Sequence, residues 1–161
     1  MRRYRRKYQH TIQSYAKAAL GKRIHESPVA IRVLDAERTF WEKATILHQY
    51  AHLPANKPLP ARLSRHWYDF FRLLKSDIAA KALQQLELLE RVADHKKVYF
   101  ASTWANYDAA RKGTLRLTPP ARINAELEKD YGQMEPMFFG QIPEWKSILK
   151  AIKEFETEFN R

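Results

Sequence analysis

Near the C-terminus, Trp145, Ile148, Leu149, Ile152, Phe155 and Phe159 recur at intervals of three and four residues. Only a helix with 3.6 residues per turn gathers such a set onto one side, so this stretch must bury a stripe against something else. Similar spacing recurs upstream. Phe40, Ala44, Leu47 and Ala51 form one stripe, in a helix expected from Ala36 to about His52. Asp35 is placed to cap it and Glu37 to favour its first turn. Leu63, Trp67, Phe70, Phe71 and Leu74 form another, from about Arg62 to Lys75, and Ala82, Leu86, Leu89 and Ala93 a third, from about Asp77 to Phe100. A fourth helix is expected from about Ile123 to Met134, and a fifth with Pro143 in its first turn. A helix over residues 4–20, ended by Gly21, is a further candidate. Alternation is weak and short, confined to Val29–Leu34, the one strand candidate. The expected fold is mainly α: a bundle of about five helices with at most one short strand.

Breakers lie between these segments. Pro54, Pro58 and Pro60 give an extended loop after the first stripe. Residues 101–121 read as irregular apart from a turn near Tyr107–Arg111, with Gly113 and Pro119-Pro120 as further breaks. Four glycines in 161 residues leave little room for a glycine-rich phosphate loop, and none is present. With no cysteine, disulfides, thiolate nucleophiles and Cys-based zinc sites are excluded. No run approaches the ~18 apolar residues of a membrane span. No secretory leader is apparent, and a cytoplasmic protein is expected.

Charge is distributed unevenly. Arg2, Arg3, Arg5, Arg6, Lys7, Lys17, Lys22 and Arg23 precede the first acid, Glu26, and hold eight of the net +11 charges. The chain therefore reads as a basic N-terminal arm or remnant helix, residues 1–27, followed by a helical domain, residues 28–161. Such an arm suits phosphate binding to RNA, or serves only as a solvated tail.

Two helices carry residues with chemical interest. With Phe40 set at zero on a helical wheel, Leu47 falls near −20° and Lys43 near about −60°. Lys43 is thus flanked by apolar residues, where a lysine must snorkel outward or hold a partner. On the next helix Arg65, Asp69 and Arg72 fall within about 60° of one another, opposite Trp67. They read either as exposed ion pairs or as an acid held by arginines at a cleft rim. His48 and His52, at i and i+4, have metal-binding spacing without an HExxH motif or a third ligand, so a rim or cap role is expected and no metal site. His66, His95 and His25 show no partner in the sequence.

The stretch Arg32-Val-Leu-Asp-Ala-Glu-Arg-Thr-Phe-Trp-Glu-Lys-Ala-Thr-Ile-Leu-His48 resembles the third motif of the nucleotidyl transferase AbiEii/AbiGii toxin family, and Arg62-Leu-Ser-Arg-His-Trp-Tyr-Asp69 resembles its fourth. The resemblance continues in order through His95-Lys96, Tyr107-Asp108, Gly113-Thr-Leu-Arg-Leu-Thr-Pro119 and Asp130-Tyr-Gly-Gln-Met134, and covers about residues 28–160. It implies the helical C-terminal half of an α/β nucleotidyltransferase-like toxin from a toxin–antitoxin or phage-defence (abortive infection) system. The implied reaction moves a nucleotide from an NTP, with Mg²⁺, to an RNA acceptor such as tRNA, and a cognate antitoxin is an implied partner. Lys43 matches the family lysine that contacts phosphates, and Asp69 the aspartate near the reacting centre. Arg65 matches the basic residue before that aspartate, and Arg38 and Arg72 are expected as further phosphate or acceptor contacts. The family's first motif, Gly-Ser followed by an Asp-x-Asp metal pair, has no counterpart here: Gly-Ser is absent and no acid precedes Glu26. The expectation is a truncated or split protein whose N-terminal nucleotidyltransferase half is missing, inactive alone. The alternative is a non-enzymatic helical domain that binds RNA or protein through the basic arm.

Overall fold

A computed structural model describes residues 8–23, 25, 27–138 and 140–161. Arg2, Arg3, Arg5, Arg6, Lys7 and Glu26 lie outside the described residues, as does residue 4–7 of the candidate helix. The chain divides into two compact units, which meet in sequence between Ala36 and Glu37.

In the first unit, strand β1 (Tyr8–Ile12) pairs antiparallel with strand β2 (Val29–Val33), with Thr11 opposite Ala30 and Ile12 opposite Val29. This corrects two expectations. A second strand exists, and the helix expected over residues 4–20 is reduced to helix α1 (Tyr15–Leu20). The reason is local. Ser14 accepts the Lys17 N–H at 3.1 Å and starts the helix, while Thr11 and Ile12, both β-branched, fit the extended chain before it. Gly21, at φ +54°, ends α1 in a conformation that favours glycine. The alternation read in Val29–Val33 is retained, with Ile31 and Val33 half-buried and Arg32 exposed. Helix α1 buries none of its residues, and Ile12, Tyr15, Leu20 and Val29 are exposed.

The second unit is all helix and loop: α2 (Ala36–Ala51), α3 (Arg65–Leu74), α4 (Ile78–Leu83), α5 (Leu86–Tyr99), α6 (Ala121–Gln133) and α7 (Trp145–Phe159). A single helix was expected over residues 77–100, and the structure breaks it at Gln84–Gln85. The break frees the Ala82 carbonyl, which accepts the Gln85 N–H at 2.9 Å and the Trp41 indole N–H at 3.3 Å. Pro143 precedes the Glu144 N-cap of α7 instead of sitting in its first turn.

One core joins these helices. Phe40, Trp41, Leu47, Trp67, Phe70, Leu127, Ile148 and Ile152 are fully buried, and Phe71 is partly buried against them. Rings of Phe40 and Phe70 meet at 4.8 Å, and Phe155 lies 5.7 Å from each. The irregular segment before α6 is pinned by α7. Glu156 accepts the Leu117 and Thr118 N–H groups, and Asn160 takes both the N–H and the carbonyl of Leu115. Burial works against the Glu156 charge, but those two N–H groups and Lys153 outweigh it and hold its carboxyl below the usual range. The start of α3 is held the same way by a distant residue. Asp130, on α6, accepts the Arg62 and Ser64 N–H groups at 2.7 and 2.9 Å and the Ser64 hydroxyl at 2.5 Å. That cap steadies Arg62 at φ +60°, a strained conformation for a residue with a Cβ. Among the described residues no helix is long and apolar enough to cross a membrane.

Candidate functional site

Packing of α3 beside α2 brings Lys43 to Asp69 across 26 residues of sequence. The ammonium donates to Asp69 Oδ2 at 2.5 Å. Of the two ways a lysine on an apolar flank can be accommodated, this one holds a partner, with the side chains 22% and 40% exposed. The same ammonium lies 3.4 Å from His66 Nδ1. An ammonium has hydrogens only to donate, so this contact requires a lone pair on Nδ1 and places the ring proton on Nε2. The charge balance agrees. Burial, then the Lys43 and Arg65 cations, push the His66 pKa down to about 4 against the opposing pull of Asp69, so His66 is neutral at neutral pH.

The remaining candidates are less concentrated. Arg65 stands exposed at the first residue of α3, close enough to act on His66. Arg72 is exposed about two turns further along α3. Arg38 is engaged within α2, where its Nε donates to Glu42 Oε1 at 2.9 Å. The structure thus unites Lys43, Asp69 and, through its charge, Arg65, and gives Arg38 a local ion pair.

Two residues of this region escaped the sequence reading. His66 had no visible partner because Lys43 lies 23 residues away, although its place three residues before Asp69 put the two on one helix face. Lys96 is buried, 8% exposed, and its ammonium donates to the Glu42 carbonyl at 3.1 Å. Its signal was available: Lys96 continues the stripe of Leu89, Val92 and Ala93 at helical spacing, a core position for a cation. Burial lowers its pKa to about 8, Glu42 opposing and Lys43 adding to the effect.

His48 and His52 are occupied with structure, in line with a cap role. Nδ1 of the fully buried His48 accepts the Arg116 N–H at 3.0 Å, so its proton sits on Nε2, which donates to the Asn106 carbonyl at 2.9 Å. His52 donates from Nδ1 to the His48 carbonyl and accepts the Asn106 amide at Nε2. Neither ring keeps a lone pair for a metal. Among the described residues no three or more His, Asp or Glu side chains cluster as a metal site would require. Near Lys43 a divalent cation would meet Asp69, already neutralised by that lysine. A single carboxylate already paired with a lysine does not fit a metal held by these residues alone.

Lys43 and Asp69 thus meet between α2 and α3, and the comparison with known families bears on the chain as a whole. Residues 6–157 match the model of the family described as nucleotidyl transferase AbiEii toxin, type IV TA system. The chain belongs to this family of nucleotidyl transferase toxins, whose members act in toxin–antitoxin systems with an antitoxin as counterpart. No curated protein and no solved structure matches it.

Proposed function

We propose that this chain supplies the triphosphate-contacting residues of a toxin that transfers a nucleotide from an NTP to an RNA acceptor, the acceptor end of tRNA being the first candidate, in the cytoplasm. The observation that carries the reading is the Lys43–Asp69 contact, 2.5 Å long, between the two helices that carry the family-like motifs. Lys43 has three donor hydrogens and a compact charge, so it can keep Asp69 and still donate to a phosphate oxygen. Asp69 fixes the direction of that ammonium and sits beside the reacting phosphate. His66, kept neutral, adds no charge that would repel Lys43, and the Arg65 cation at the rim raises the local concentration of phosphate. Arg72 and Arg38 extend the positive face to the acceptor.

Mg²⁺ chemistry in such a transfer needs carboxylates on a rigid support. The Gly-Ser and Asp-x-Asp pattern that would provide them is absent from the sequence, so the 161-residue chain is expected to be inactive until a nucleotidyltransferase half is added. The test is incorporation of labelled nucleotide into tRNA, with Mg²⁺ and each of the four triphosphates. The chain alone should incorporate none. Adding a separately expressed N-terminal domain from a close relative should restore transfer, and Lys43→Ala or Asp69→Asn should then lower it at least about 100-fold, the scale of a lost transition-state contact. Incorporation by the chain alone, abolished by Lys43→Ala, would overturn the half-enzyme reading.

A further inference from the structure

A cleft of about 320 Å³ opens between α2 and α5, beside the Lys43 cluster. Glu42, Ile46 and Gln49 form one wall, His95 and Lys96 the other, and Phe100 closes one end. Its size sits at the low end of ligand pockets, suited to a small planar group. Three features of its lining are hard to explain by folding alone.

The first is Lys96. A buried cation is costly unless an anion accompanies it. The hydrogen bond that holds this one is to the Glu42 carbonyl, and the Glu42 carboxylate, shared with Arg38, offsets its charge only in part. The second is the aromatic rim. Phe100 is 62% exposed, and the His95 ring, also in the lining, lies 6.1 Å from it. Exposed rings beside a basic group form the platform on which a base stacks. The third is Gln49. Its Oε1 accepts the Tyr107 hydroxyl at 2.9 Å, which leaves the amide hydrogens as donors in the wall. Continuity with the first site is built into the chain. Lys96 is tied to the backbone of Glu42, the residue before Lys43, and the two ammonium charges act on each other.

We infer that the α2–α5 cleft is the nucleoside subsite of this protein. The base stacks at the Phe100 rim, and the phosphates run past Lys96 toward Lys43. The inference rests on the reading of Lys43 as a triphosphate contact, and it adds where the rest of the nucleotide lies.

The experiment compares binding of ATP, GTP, CTP and UTP with binding of inorganic tripolyphosphate by the 161-residue chain, using calorimetry. A nucleoside subsite makes the best NTP bind at least about 10-fold tighter than tripolyphosphate, a stacking-sized gain. Phe100→Ala, at an exposed position, should remove that advantage and leave tripolyphosphate binding unchanged. Ile46→Trp, which fills the cleft from the other wall, should do the same. Lys43→Ala should weaken both probes. Equal affinity for NTP and tripolyphosphate, or NTP binding untouched by both cleft variants, would overturn the subsite while leaving Lys43 in its role. Cleft variants that weaken NTP binding while Lys43→Ala has no effect would support the subsite and overturn the role of Lys43. Binding of neither probe would overturn both.

Discussion

Helix α2 carries two histidine environments of opposite character, one reached from its own C-terminal end and one from its middle. His48 is fully buried, and both ring nitrogens are taken by backbone groups of the 106–116 segment. His66, which α3 brings against Lys43, is half-buried and gives one nitrogen to a side chain, the Lys43 ammonium. Both have pKa values pushed down to about 4, and burial is the first cause in each. The shift therefore does not distinguish them; the completeness of their hydrogen bonding does. A buried ring with every atom paired is a structural pin. A ring beside a charged pair with exposed atoms leaves something for a ligand to complete.

The sharpest way to break this comparison is to remove the pin. His48→Ala would open a cavity and leave the Asn106 carbonyl and the Arg116 N–H without their partner. The expected cost is about 3–5 kcal/mol in urea unfolding, whereas His66→Ala should cost about 1 kcal/mol or less. Equal costs would mean that both are structural.

Acid should act on the same pin. Unfolded His48 titrates at 6.5 and folded His48 at about 4, so between these values the unfolded chain binds a proton that the folded chain refuses. Stability is full above pH 6.5 and falls as the pH drops toward 4, by on the order of 3 kcal/mol from His48. His66 adds in the same direction, by less because it is more exposed. Denaturant midpoints at pH 7 and pH 4.5 measure the slope, and His48→Ala should flatten most of it. A flat profile in the native protein would show that folded His48 binds its proton as readily as the unfolded chain does, and that the Arg116 N–H bond it must give up holds little stability.

The smallest effect has the opposite sign. Lys96→Met keeps the length and apolar body of the side chain and removes the buried charge. It should raise stability by about 1 kcal/mol in the same unfolding assay. A loss of stability would show that the Lys96–Glu42 hydrogen bond is a structural necessity and not a cation held ready for a ligand.

Much of the helical unit was readable because its signals are local. The stripe of Trp145 to Phe159 and the run from Leu63 to Leu74 place their side chains by spacing alone, and Trp67, Phe70, Ile148 and Ile152 are buried as that spacing demands. The N-terminal segment was misread for the converse reason. Tyr8–Ile12 has no strong period of its own, and its strand exists through pairing with Val29–Val33, many residues later. The break at Gln84–Gln85 was also invisible, since no glycine or proline marks it and its carbonyl finds its partner in Trp41. Lys43 and Asp69 were legible as individuals, each by its position on a helix and by its motif. His66 was not, because its partner lies 23 residues away; Lys96 showed its core position on the stripe, but its partner, 54 residues away, was hidden.

By itself the sequence determined most helical segments of the second unit, which faces they bury, the absence of thiol chemistry, and a lysine and an aspartate on separate helices in the order the family-like motifs require. These follow from spacing and residue type within a few turns of chain. Only the tertiary structure decided that Lys43 meets Asp69, that Asp130 caps a helix 66 residues away, that His48 is a closed pin and that Lys96 stands buried at the wall of a cleft. A hydrogen bond depends on ångström-scale placement of two groups. When those groups lie far apart in the chain, only packing of the whole core sets the distance between them.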